Sequence, residues 1–557
     1  MRMFLLTIAM IALAAAPVHA APQQTPDWVD QLGAIAIQDG GRVMPLDTYA
    51  RTIAVRLTGR THWSAQRGPA AFAGRHPIQL LCDLMFRPDQ MIDQPLIAIE
   101  NRPFKKRVGL DDTQRFFSAK ELGESEAVQR LIVAARQARQ SGMRQKPTDD
   151  QRRAEDIDQA LMTFLGFQHD QDLRIVPNPA GDTFLWVSRS AAEPGAEPVQ
   201  LALAELAAQY VSGADPRPQV RNLAKAIAAV APLDAKAARQ VELELLYNHH
   251  QPWRKTAFAL GLAIIFLGLA PIFWRKLLWT AGLACVLWAV AEQVLGLALR
   301  TMILDRVPVA NTYESLLWMG LVAILIGAIA QVINRKSWYL LAGVIAAELS
   351  VLFAMLVPLE SQTGAIPAVL RSNFWLIVHV LVIVASYGVL LLAAVLGHVY
   401  LIKNVLLAPK DEQPKALGNP LITQTYRAMQ VGLLLLTAGT ILGGVWAADS
   451  WGRFWGWDPK ETWALISIVI YFILIHGRYV GWIKDFGLAV ASIVGMMAIV
   501  WTFYGVNYVM AAGLHSYGFG SGGEFWVGLW VIAEIVFLIL CKSRQGQRAI
   551  ADTPPES

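Results

Sequence analysis

Downstream of about residue 255 the chain alternates long apolar runs with short polar gaps. The runs fall at 256–274, 277–298, 314–333, 338–357, 374–402, 428–447, 462–480, 487–508 and 524–541. Each is long enough for a helix crossing a hydrocarbon layer about 30 Å thick. The pattern predicts a mainly α, polytopic membrane bundle of about nine spans. Residues 21–250 lack such runs and read as a mostly helical extracytoplasmic domain. Helices are expected over 48–57, 118–139, 200–210 and 221–246, and a short strand over 182–188. Residues 1–20 read as a secretory signal: Arg2, an apolar core, then Val18-His19-Ala20, with cleavage expected after Ala20. The expected division is signal 1–20, soluble domain 21–250, membrane domain 251–541 and cytoplasmic tail 542–557.

A secreted first domain puts the start of the first span outside. Charge tests that orientation, because Lys and Arg concentrate in cytoplasmic loops. The loops and tail expected inside carry thirteen of them, Arg275, Lys276, Arg335, Lys336, Lys403, Lys410, Lys415, Arg427, Arg478, Lys484, Lys542, Arg544 and Arg548. The outer loops carry five, Arg300, Arg306, Arg371, Arg453 and Lys460. The C-terminus is therefore expected inside.

Composition agrees with a membrane protein: 55% hydrophobic, 16% charged, mean hydropathy +0.39. The net charge of +5 and pI of about 9.0 suggest nucleic acid at first sight. In the membrane half, however, the basic residues sit in short loops between spans, so no nucleic-acid partner is expected. The three cysteines, Cys82, Cys285 and Cys541, are far apart, with no CxxC and no CxxCH. That excludes a thioredoxin-like pair, a local zinc knuckle and a covalent haem site in this chain.

The most informative stretch is 451–463, with four tryptophans in thirteen residues between two apolar runs. Trp favours the membrane–water interface. Asp458-Pro459-Lys460-Glu461 has the form of a helix start, with Asp458 as N-cap, Pro459 as first helical residue and Glu461 reaching back as in a capping box. One reading is a helix start within an aromatic belt. The other is a flat aromatic shelf for a flat apolar ligand, with Arg453 and Lys460 near its acidic groups.

Residues 451–466, WGRFWGWDPKETWALI, resemble the tryptophan-rich WWD signature of the haem-handling proteins of cytochrome c biogenesis. Residues 280–535 resemble the CcsA/ResC type, a subunit of the System II cytochrome c synthase. Two further segments look like that family. One is GRVMPLDT at 41–48, read as a turn leading into a helix. The other is 306–315, where Asn311 or Thr312 would cap the next span and Glu314 would favour the helix N-terminus.

The resemblance implies non-covalent haem b in transit, held against Trp451, Gly452, Trp455, Trp457, Asp458, Pro459, Glu461 and Trp463. It implies two histidines as axial ligands of an outer haem, and His379 and His515 occupy the matching positions. His379 lies five residues after Phe374, about 8 Å along the helix, and His515 lies in the following outer loop. The family also places a deeper haem histidine where His476 stands, thirteen residues or roughly 20 Å beyond Trp463. His398, about 28 Å beyond His379, is its weaker possible partner, and a second subunit is preferred. His249 and His250 read as an exposed juxtamembrane pair.

The implied location is a bacterial inner membrane, with the tryptophan loop periplasmic. The implied function is haem translocation and presentation for thioether attachment to an apocytochrome c CxxCH segment, as part of a synthase complex. The alternative is an exporter or chaperone that delivers haem without forming the bond. The implied partners are a CcsB/ResB-type subunit, which is not recognisable within 1–250, apocytochrome c, and a thioredoxin-like thiol reductant. No residue of the chain is assigned a catalytic role.

Overall fold

The computed structural model describes residues 26–61, 63, 68–140, 148–336, 338–356, 373–408, 418–510 and 524–551. The expected signal and His515 lie outside the described residues. The chain forms two compact units, one ending at His250 and the other beginning at Gln251.

The first unit is mostly helical around one apolar core, to which Val29, Ile53, Ile78, Phe104, Val128, Val187 and Leu223 contribute. Among the described residues it also holds three two-stranded antiparallel sheets. The expected 118–139 helix is broken at Ser125 into Ala119–Glu124 and Glu126–Gln140. The expected 221–246 helix is likewise two, Arg217–Val230 and Ala235–His250. Pro232 is the reason: it forces Ala231 to extended backbone, φ −156° and ψ 143°.

GRVMPLDT is more than a turn and a helix. Arg42–Pro45 is a strand paired with Ala36–Asp39, and the helix Leu46–Thr58 follows directly. The motif grips the helix Ala235–His250. The Arg42 guanidinium makes a two-pronged pair with Glu244, 2.7 Å on each prong. Asn248 Nδ2 donates to Asp47 Oδ2 at 3.0 Å and Thr48 Oγ1 at 2.9 Å. His249 lies at the exposed end of the same helix, its Nδ1 donating to the Leu245 carbonyl at 2.8 Å.

The second unit is a helical bundle: α1 Pro252–Leu269, α2 Arg275–Leu304, α3 Thr312–Asn334, α4 Trp338–Leu356, α5 Asn373–Leu401, α6 Pro420–Trp451, α7 Pro459–Tyr479, α8 Asp485–Val500 and α9 Glu524–Ala551. Among the described residues eight helices are long and apolar enough to cross a membrane. The expected ninth segment, 524–541, lies within α9. The principal neighbours are α1 with α2, α3 with α4, α5 with α6, and α5 with α3 and α8.

Small residues allow the helices to approach closely, as membrane packing requires. A Cβ on Gly327 of α3 would stand 2.8 Å from Gly343 Cα of α4. One on Gly388 of α5 would meet the Met319 carbonyl oxygen at 2.6 Å.

The α2–α3 connection corrects two expectations. Arg300 is not a loop charge but a buried residue of α2. Glu314 does more than favour a helix start. It is fully buried and binds Arg300 Nη2 at 2.7 Å, Arg306 Nη1 at 2.8 Å and the Ala310 N–H at 2.9 Å. Asn311 is the N-cap of α3, its Oδ1 accepting from the Glu314 N–H at 2.9 Å.

Candidate functional site

The expected helix start at Asp458 is present in full. Asp458 Oδ1 accepts from the Glu461 N–H at 2.9 Å, and Glu461 Oε2 accepts from the Asp458 N–H at 3.3 Å. Glu461 Oε2 also accepts from the Gly456 N–H at 2.7 Å. One buried carboxylate therefore fastens both the helix start and the loop before it. Pro459 is the first residue of α7. Gly452 terminates α6 at φ 70°, a conformation that costs a glycine little. Arg453 is part of the loop: its guanidinium lies across Gly456, where no side chain would fit, and faces Glu461 Oε1 at 3.9 Å.

The tryptophans do not stack into a flat shelf. Trp451 meets Trp446 at 4.9 Å and 65°, Trp455 meets Trp457 at 5.8 Å and 85°, and Trp463 meets Trp501 at 5.7 Å and 62°. Trp457 is 69% exposed and has φ 56°, so it points away from the bundle with strained backbone. Of the four, Trp455 lines the principal cavity.

That cavity measures about 160 Å³, on a scale where one water needs about 10–15 Å³. Five parts of the chain wall it. The 309–312 segment and the start of α3 form one side. His379, Ile383 and Tyr387 of α5 form another, with Gly443, Gly444 and Trp446 of α6 beside them. Phe454, Trp455, Lys460 and Glu461 come from the loop and α7. Thr502, Phe503 and Asn507 come from the wide π-helical turns Trp501–Met510 that continue α8. Such turns recur at functional sites because they re-aim side chains. Tyr508 Oη donates to Thr312 Oγ1 at 3.1 Å and joins this segment to α3.

His379 is held in one orientation. Its Nδ1 is 2.7 Å from the Gly439 carbonyl oxygen, which accepts only and so fixes the proton on Nδ1. Nε2 then carries the lone pair. The ring lies parallel to Trp446, 9° between planes with centroids 6.2 Å apart. Its Cε1 fills the space a Cβ on Gly443 would take, 2.6 Å away. Phe454 fills the corresponding space over Gly444 at 2.6 Å.

A second polar atom is set into the wall. Trp455 Nε1–H is buried without a hydrogen-bond partner among the described residues. An orphaned donor and an imidazole with its other nitrogen fixed, in a largely apolar cavity, suit a large apolar ligand with a metal at its centre.

Sequence reasoning missed Trp446, Phe454, Tyr387 and the segment containing Phe503 and Asn507. The signal for the first two was present: Gly439, Gly443 and Gly444 repeat at helical spacing on α6 and mark where another element approaches.

The deeper histidines separate. His398 Nε2 lies 2.8 Å from Glu534 Oε2 of α9, and its Nδ1 donates to the Ala394 carbonyl at 2.8 Å. It is thus engaged within the chain. His476 is exposed on α7, its Nδ1 donating to the Phe472 carbonyl at 2.8 Å and its ring 4.0 Å from the Phe472 ring. Phe472, Ile473 and Tyr479 beside it are also exposed.

Residues 309–515 match the family model described as cytochrome C assembly protein. The chain is similar to Protein NrfI of Wolinella succinogenes, 28% identical over 507 residues, which is 86% of this chain and 53% of NrfI. It is similar to the cytochrome c biogenesis protein CcsA of Synechococcus sp. (strain CC9311), 33% identical over 308 residues, 48% of this chain and 97% of that protein. The CcsA of Chlamydomonas reinhardtii is 34% identical over 226 residues, 38% of this chain and 61% of that protein. The chain spans about half the length of NrfI, and that similarity covers more of the chain than the membrane unit alone.

Proposed function

The chain belongs to the CcsA family of cytochrome c biogenesis proteins, and from that premise we propose that its principal cavity receives haem b as cargo, with His379 as one axial ligand. The observation that carries this reading is the 2.7 Å bond from His379 Nδ1 to the Gly439 carbonyl. A histidine that binds metal through one nitrogen usually donates the other N–H to a fixed acceptor, which sets both tautomer and ring direction. Here that acceptor is backbone, and Gly443 and Trp446 fix the ring plane.

His515, outside the described residues, supplies the second axial imidazole. The tryptophan loop and, after removal of the signal, residues 21–250 are on the periplasmic side of a bacterial inner membrane. Haem reaches the cavity from the inner side past His476. The exposure of His476 and the pairing of His398 with Glu534 support a second ligand from a partner subunit of CcsB/ResB type. The partner's helix would cover Phe472 and Ile473 as well.

The chain's part in thioether formation is positioning. An apocytochrome CxxCH segment approaches the outer haem, and its histidine replaces one axial imidazole. Each cysteine S–H then adds across a vinyl group: sulfur bonds to one vinyl carbon and the proton goes to the other. No oxidant is consumed, but the cysteines must be reduced, which is the place of a thioredoxin-like reductant. Holding the reactants in one geometry can supply several kcal/mol of such a barrier, about 7–11 at best.

The test is the complex of this chain with its partner subunit, supplied with reduced haem and a CxxCH peptide. A peptide whose mass rises by one haem supports the synthase reading. Haem that binds and passes to the peptide without a covalent adduct would replace it with delivery alone.

A further inference from the structure

We propose that Lys460 is the carboxylate-binding group of the cavity, and that it sets the orientation of the porphyrin by pairing with one of its propionate groups. This rests on the reading of the cavity as a haem site.

Lys460 is the second residue of α7, after the N-cap Asp458 and Pro459. A cation there faces the positive end of the helix dipole, where carboxylates are stabilising and ammonium groups are not. A residue that breaks a local rule marks a place where function outweighs local stability.

The side chain turns into the cavity. Its Nζ donates to Asn507 Oδ1 at 2.9 Å and reaches the Phe503 carbonyl at 3.5 Å. Both acceptors are neutral. Among the described residues no ion pair joins Nζ to a carboxylate, and the Asp458 carboxylate acts on it only through space. An ammonium has three donors, so two are used in holding it and one is left for a ligand. The Trp455 indole N–H, buried and orphaned in the same wall, is a second donor suited to a carboxylate oxygen.

Arg453, the other cation of the loop, does not line the cavity. It lies over Gly456 and faces Glu461. The structure thus separates two cations that the sequence presents alike. Haem carries its two carboxylates on one edge and its two vinyl groups on the opposite edge. Pairing at Lys460 turns the vinyl edge away from this wall, toward an incoming thiol.

The test compares haem b with its propionate dimethyl ester, titrated into the detergent-purified full chain and read by absorption. The wild type should bind haem b roughly tenfold or more tightly than the ester, the scale of a charge-assisted hydrogen bond. Lys460→Met should bind both alike, near the wild-type affinity for the ester. Lys460→Arg and Arg453→Met should keep the preference. A wild type that binds both porphyrins equally overturns the role of Lys460 and leaves the haem site standing. Retained discrimination in Lys460→Met overturns it as well. A wild type that binds neither porphyrin overturns the haem reading and this one with it.

Discussion

His379 and Gly439 meet across α5 and α6, imidazole Nδ1 to carbonyl oxygen at 2.7 Å. One turn further along α6, Gly443 supports the face of the same ring. The glycine is there because nothing larger fits: a Cβ would stand 2.6 Å from Cε1. Gly443→Ala should therefore push the imidazole off its axis at an overpacking cost of about 1–3 kcal/mol. The purified variant should fold but carry less haem, with an altered reduced spectrum. An unchanged spectrum would show that ring placement does not matter.

Asp458 and Glu461 act on the backbone, so charge at Asp458 should matter less than its oxygen. Asp458→Asn keeps an N-cap acceptor and should retain both haem and thermal midpoint. Asp458→Ala should lose about 1 kcal/mol. Glu461→Ala should lose more, because the Gly456 and Asp458 N–H groups lose their acceptor together. Thermal unfolding followed beside haem content checks the order.

Glu314 lies between Arg300 and Arg306 with no exposure to solvent. Glu314→Ala leaves two guanidinium groups facing each other and should cost about 3–5 kcal/mol. It should also loosen the 309–312 wall of the cavity. Combining it with Arg300→Met should recover part of the loss, since the buried charge is then reduced. Purely additive losses in that double-mutant cycle would mean the two residues do not interact.

This cluster also shows what a sequence conceals. The apolar periodicity located every helix of the second unit, because burial in lipid demands long unbroken runs. It missed up to about three turns at the ends, where α6 begins at Pro420 and α9 runs on to Ala551 through polar residues. The helix start at 458–461 was legible because a capping box is local. Arg300 was not, because fourteen residues separate it from Glu314 and its burial depends on the packing of α2 against α3. The cavity wall at Trp446 and Phe454 left only an indirect trace, the glycines of α6, because which element approaches them depends on the packing. Pro232 was visible in the sequence, and its effect on the preceding residue marks the break between two helices that an amphipathic pattern runs together.

The first unit should be sensitive to acid. Burial pushes Asp47 up, but Arg51, His76 and Asn248 outweigh it and leave the carboxyl below the ordinary range. Burial also opposes ionisation of Asp170, and the Ser190 and Arg189 donors overcome it. Both carboxyls are lowered on folding. Their stabilisation is present above the unfolded value of about 3.9 and is lost as the pH falls below it toward the folded values. Asp170→Asn should flatten that acid dependence, measured by proteolytic susceptibility of the 188–190 turn between neutral pH and pH 3. An equally steep loss in the variant would place the acid sensitivity elsewhere.

The most direct measurement is the reduced absorption spectrum of the detergent-purified protein beside His379→Ala, with and without added imidazole. Bound haem in the wild type, weakened in the variant and restored by imidazole, is the expected result. It would identify His379 Nε2 as an iron ligand. Haem bound identically in His379→Ala, with no response to imidazole, would contradict it.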